Sequence, residues 1–130
     1  MTQEFVPYEQ ALALKELGFD EMCMGKFIPY FSESGWLLEI NERLQYSTNS
    51  LLGQGFSAPL YQQAFRWFRE RYKLEGITQC AEERVWYKFG IYQLYGDCKI
   101  MISAKLEFKT YEEAELECLK KLIQIVKENK

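Results

Sequence analysis

Few side chains in this sequence could do chemistry, and their spacing restricts what that chemistry could be. The 130 residues include no histidine. That removes serine–histidine and cysteine–histidine nucleophilic catalysis, together with every histidine-containing zinc site. The four cysteines, Cys23, Cys80, Cys98 and Cys118, form no CxxC pair, so neither a zinc ribbon nor a thioredoxin-type motif is present. A general base would have to be a tuned carboxylate, lysine, tyrosine or cysteine. Glu82 and Glu83 are adjacent and would point to opposite faces of a strand, while Glu107 is expected opposite Trp86. Neither arrangement resembles the paired carboxylates of a glycosidase, and GQG at 53–55 is too short for a nucleotide fingerprint. The expectation is a protein that is not an enzyme, with no cofactor and no metal.

Binding chemistry is better represented. The segment NERLQYSTNSLLGQGFSA at 41–58 is polar, contains glycine and lacks clear periodicity. Loops of that length are commonly functional. Gly53, Gly55 and Ser57 precede a helix, whose free N–H groups and dipole favour an anion. Trp36, Tyr46, Phe56 and Tyr61 could supply a stacking surface, and Arg43 is the segment's only cation. The plainer alternative is that Ser57 caps the helix and the glycines turn the chain. A second candidate lies further on. Trp86, Tyr92, Leu94 and Met101, among Lys88, Lys99 and Lys105, would share the outer face of a hairpin, with Tyr92 opposite Met101. Aromatic and methionine patches with a charged rim are typical of protein interfaces. The alternative is that a helix covers that face. Arg66, Arg69 and Lys73 make a basic stripe near Trp67 and Tyr72, a small footprint for nucleic acid.

These residues must be held by elements whose signals can be read directly. A helix over about 7–17 starts at Pro7 and ends on Gly18, with Leu14 and Phe19 spaced for a Schellman ending. A hairpin follows, turning at 32–35, with Phe27 opposite Ile40, Pro29 opposite Leu38 and Phe31 opposite Trp36. Pro29 suggests an edge strand. A second helix spans about 59–73, with Tyr61, Phe65, Phe68 and Tyr72 at helical spacing. A short strand near 77–81 precedes a second hairpin over 85–109. Its Gly96-Asp97 turn sets Ile91 opposite Ile102, Phe89 opposite Ala104, Tyr87 opposite Leu106 and Val85 opposite Phe108. The last helix starts at Thr110, with Glu113 at capping-box spacing and Glu117–Lys121 as an i,i+4 pair. The order α-β-β-loop-α-(β)-β-β-α indicates an α+β domain spanning 1–130, an antiparallel sheet of about four to five strands packed with three helices.

Composition agrees with this reading. Hydrophobic residues make up 48% and aromatics 16%, enough for a core, and the net charge of −3 provides no general attraction for nucleic acid or anionic membranes. No apolar run suits a membrane span, and MTQEFVPYEQ lacks the signature of a signal peptide. The cysteines are therefore expected as reduced thiols in a cytoplasmic protein.

Three segments, EFVPYEQALALKELGFDE at 4–21, APLYQQAFRWFRERY at 58–72 and TYEEAELECLKKLIQIVK at 110–127, resemble a group of small proteins of Bacteroidetes genomes and their bacteriophages and prophages. The resemblance implies a phage or mobile-element setting, hence the host bacterial cytoplasm, and brings no activity or catalytic residue. The leading expectation is capture of a small anionic ligand, such as a nucleotide-derived signal, to counter host defence. The alternative is a protein–protein adaptor or inhibitor using the outer face of the 85–109 hairpin. Self-association as a homodimer through Trp86, Tyr92, Leu94 and Met101 is expected in either case, because a small domain has difficulty burying so many aromatics.

Overall fold

A computed structural model describes residues 4–30, 35–40, 48–49, 55–80, 86–94, 100–103 and 107–129. Among them the chain is an α+β protein of three helices and six strands, the strands forming two antiparallel sheets of three. The expected order of elements is observed, but the expected single sheet is divided in two. The residues cluster into two compact units, Met1–Tyr61 and Gln62–Lys130.

In the first unit, α1 (Tyr8–Glu16) ends as the sequence indicates. Gly18 takes φ +100°, its N–H donates to the Lys15 carbonyl at 3.0 Å, and the Phe19 N–H donates to the Leu14 carbonyl at 2.9 Å. This is the Schellman arrangement, with Leu14 and Phe19 both buried. Strands β1 (Gly25–Tyr30), β2 (Gly35–Ile40) and β3 (Phe56–Ala58) form a sheet in the order β2-β1-β3. Phe27 lies opposite Leu38 and Pro29 opposite Trp36, a register two residues from the expected one, because Gly35 enters β2 instead of the turn. A slip of two preserves the face of every side chain, so alternation cannot detect it. Residue Phe31 lies outside the described residues. β1 is central, contrary to the edge position inferred from Pro29. β3, however, pairs only with Gly25–Phe27, so Pro29 lies beyond its end and disrupts no ladder there. The rings of Tyr8, Phe27 and Phe56 meet at 5.6–6.1 Å and tie α1 to the sheet.

The second unit contains nearly all of α2 (Tyr61–Tyr72), then β4 (Leu74–Cys80), β5 (Tyr87–Gln93), β6 (Ile100–Ser103) and α3 (Tyr111–Glu128), with strand order β4-β5-β6. β4 begins earlier than expected. Lys73, at φ +56°, turns the chain from helix directly into strand. One face of the sheet carries Leu74, Gly76, Phe89 and Ile91. A β-carbon at Gly76 would stand 2.8 Å from Cys118 Sγ and 3.1 Å from both Leu122 and Phe65, so both helices pack on that face. α3 opens as expected, with Thr110 Oγ1 accepting from the Glu113 N–H at 3.1 Å. Glu117 pairs with Lys120 at 3.0 Å and not with Lys121, which donates instead to Gln124.

The hairpin register holds only in part. Ile91 faces Ile102 as expected, but a bulge follows, and Tyr92 lies opposite Ile100 instead of Met101. At the other end Tyr87 pairs with Phe108, with reciprocal hydrogen bonds of 2.7 Å. That excludes the expected pairs Tyr87–Leu106 and Val85–Phe108, and moves Glu107 away from Trp86. Phe108 still stacks on Phe89 at 6.1 Å, so the apolar face survives the shift. The Gly96-Asp97 turn and the Ala104 partner of Phe89 lie outside the described residues.

Candidate functional site

The residues expected to bind an anion are placed in the framework of the first unit. Gly55 takes φ +84°, and a β-carbon there would fall 2.1 Å from the Phe27 carbonyl oxygen. Its glycine is therefore required by the close approach of β3 to β1. Phe56 belongs to the aromatic core, and Tyr61 is buried at the start of α2. Ser57 is fully buried within β3 and does not cap the helix, which starts four residues later. Its N–H donates to Asn49 Oδ1 at 2.8 Å, while Asn49 Nδ2 donates to the Phe19 carbonyl at 2.7 Å. Asn49 thus joins the start of β3 to the end of α1, and the sequence pattern did not single it out. The Ser57 hydroxyl has no hydrogen-bond partner among the described residues. The backbone of Trp36 lies in β2, on the far side of β1 from β3. Arg43, Tyr46 and Gly53 lie outside the described residues. Gly55, Phe56 and Ser57 are thus brought together, but as a strand whose polar backbone is already engaged.

The second candidate is built on β4 and β5. Because both helices pack on the Gly76–Ile91 face, the opposite face carries Trp86, Lys88, Gly90 and Tyr92, with Glu75, Ile77 and Gln79 across from them. Tyr92 bends back over its own strand. A β-carbon at Gly90 would stand 3.2 Å from Tyr92 Cε2 and 3.3 Å from the hydroxyl, so the ring lies on the glycine. Ile77, the cross-strand partner of Gly90, is 41% exposed. Trp86, Tyr92 and Leu94 are half-buried, and the Leu94 N–H donates to the Lys73 carbonyl at 2.8 Å. Met101 belongs to β6 but does not face Tyr92. Ile77 was missed as a site residue; the short strand containing it gave no alternating pattern from which its face could be read.

Among the described residues, the titratable groups that are shifted lie at the start of α3. Tyr111 hydrogen-bonds to Glu115, and the Tyr111 ring meets Tyr87 edge-on at 5.9 Å. Burial raises the Glu115 carboxyl above the usual range, with Glu112 adding to the effect. Burial, then Glu115, raises Tyr111 as well. The Cys118 thiol is pushed up to about 12 by burial and by Glu115. A nucleophilic cysteine needs the opposite shift, so Cys118 is a packing thiol. Cys23 and Cys118 are buried thiols, Cys80 is an exposed thiol, and Cys98 lies outside the described residues. Among the described residues no group of acidic or cysteine side chains could hold a metal, and no helix is long and apolar enough to cross a membrane. The basic stripe on α2 is partly engaged, since Arg69 bonds Glu75 at 3.2 Å.

No family model matches the chain, and neither a curated protein nor a solved structure is similar to it.

Proposed function

We propose that this chain is a non-enzymatic adaptor or inhibitor that binds another protein through the outer face of its second sheet. The observation carrying this reading is the Tyr92 ring laid over Gly90 beside the exposed Ile77. The ring is held by its own strand, so little side-chain freedom is lost on docking. Lys88, Glu75 and Gln79 supply the polar rim expected around such a patch. The resemblance of 4–21, 58–72 and 110–127 to phage-associated proteins, read from the sequence alone, is the ground for placing that role in an infected or lysogenic bacterium. Capture of a small anion by residues 41–61 has less support, because Phe56, Ser57 and Tyr61 are buried and the Ser57 N–H is already bonded.

The test is site-specific photocrosslinking in cells producing the protein, with benzoylphenylalanine at Tyr92 and, as control, at the exposed Leu37 of β2. Discrete adducts with another protein from position 92 alone support the proposal. Equal adducts at both positions would overturn it, as would their absence alongside a small anion retained in native mass spectrometry.

A further inference from the structure

The outer edge of β4 can be assigned atom by atom. The Lys73 carbonyl accepts from the Leu94 N–H, and Lys73 and Leu94 continue the β4–β5 register by one step. In an antiparallel ladder, hydrogen-bonded pairs recur every second residue. Glu75, Ile77 and Gln79 therefore direct their N–H and carbonyl groups toward β5. Leu74, Gly76, Thr78 and Cys80 direct theirs away from it. The mutual bonds of Tyr87 and Phe108 fit the same alternation, since they place the odd-numbered residues of β5 against its other neighbour. Among the described residues no strand pairs with β4 on its outward side.

Edge strands are normally protected by lysine, proline or a bulge. LEGITQC, the sequence of β4, has neither proline nor lysine, its pairing with β5 is regular, and its one charged residue, Glu75, is bonded to Arg69.

We propose that two copies of the chain pair antiparallel along β4, with the two-fold axis at Ile77, to make one continuous six-stranded sheet. A two-fold axis at Ile77 sets Gly76 against the partner's Thr78 and Leu74 against the partner's Cys80. All four direct their backbone groups outward, so donors meet acceptors throughout. Glu75 meets the partner's Gln79, and no like charges face each other. Ile77 meets the partner's Ile77 in a non-hydrogen-bonded pair, where side chains approach most closely. This buries the exposed apolar side chain of β4. Axes at Gly76 or Thr78 would instead set Ile77 against Glu75 or Gln79. The expected homodimer thus forms edge to edge, and not by stacking the Tyr92 faces. Ile77 passes from the outer face to the seam, but the Tyr92 rings stay outside it and neither the edge bonds nor the register uses them, so the pairing does not depend on the proposed adaptor role.

Sedimentation equilibrium and cysteine crosslinking test the pairing. The unmodified chain should be dimeric at tens of micromolar (on the order of weak homodimer affinities). Ile77→Cys, in a Cys80→Ser background, should oxidise to a single disulfide-linked dimer, because α-carbons in such a pair lie about 4.5 Å apart. Thr78→Pro deletes an outward N–H that β5 does not use, and should give a folded monomer. If that variant fails to fold, Ile77→Lys serves instead; it places two ammonium groups across the axis and should weaken association at least tenfold. A monomeric unmodified chain, or a dimer that survives Thr78→Pro or Ile77→Lys, would overturn the proposal. Failure of the Tyr92 crosslinks with the dimer intact would count only against the adaptor reading.

Discussion

Alanine substitution at three glycines of the first unit separates backbone conformation from close packing. Gly35 opens β2 with nothing within 4 Å of where a β-carbon would stand. Gly35→Ala should therefore stabilise by about 0.4–1 kcal/mol, through the reduced entropy of the unfolded chain. Gly18 also has open space around it but takes φ +100°. The left-handed region costs an L-residue about 1–2 kcal/mol. Set against the same entropic gain, Gly18→Ala should destabilise by about 0.5–1.5 kcal/mol. Gly55 combines φ +84° with a β-carbon position 2.1 Å from the Phe27 carbonyl oxygen. That oxygen belongs to the backbone of β1 and cannot rotate away. Relief requires β3 to separate from β1 where Phe27 pairs with Phe56, exposing part of a ring that is 2% exposed in the native fold. Overpacking typically costs about 1–3 kcal/mol, which brings the expected loss for Gly55→Ala to about 2–4 kcal/mol. At roughly 0.05–0.15 kcal/mol per residue, this is a large part of the stability of a unit of that size. Hydrogen exchange read by mass spectrometry on peptides covering β1 reports the unit directly. A Gly55→Ala loss no greater than that of Gly18→Ala would refute the packing argument. It would also return Gly55 to the ligand reading, in which alanine impairs binding and leaves folding intact.

Two further substitutions test the second unit. Glu115 has a raised folded-state pKa, so the folded chain holds its proton more tightly than the unfolded chain does. Its contribution is most favourable below the ordinary value of 4.5 and is lost as pH rises through the higher folded value. Glu115→Gln should accordingly be more stable than the parent at pH 7 and indistinguishable from it near pH 4 by urea denaturation; an equal difference at both pH values would refute this. Lys73 occupies φ +56°, and glycine at that position should stabilise by roughly 0.5–1 kcal/mol. A lowered melting temperature for Lys73→Gly would show that the lysine side chain contributes more than its backbone conformation costs.

The elements that were legible in the sequence are those whose signals are local. Gly18 after α1 and Thr110 before α3 each meet a backbone group that only a nearby residue can satisfy, and the structure shows those bonds; Pro7, expected as the first helical residue, stands one place earlier as the N-cap. Faces were also legible. Phe27 and Leu38 share one face, as do Phe89, Ile91 and Phe108, because alternation assigns a face whatever the register. Register was not, since slips of two residues leave alternation unchanged and both hairpins contain one. Nor was sheet membership. Which hairpins share a ladder depends on contacts distant in sequence, so two three-stranded sheets and one larger sheet produce similar patterns.

The candidate site failed to be legible for a related reason. Glycine, an aromatic ring and serine before a helix describe an anion cradle, and they equally describe a strand that must approach its neighbour closely. What separates the two is where the N–H groups point. Ser57 gives its N–H to Asn49, eight residues upstream, and Gly55 is fixed by a carbonyl of β1 rather than by a turn. On the other sheet, Gly90 reads as a weak point in a strand until Tyr92, two residues on, is seen to lie across it. Residues two apart on a strand share a face, and because α2 and α3 pack on the Gly76–Ile91 face, Gly90 and Tyr92 lie on the opposite one. The same glycine therefore identifies Tyr92 as a surface ring held in place, which is the property that a docking residue requires.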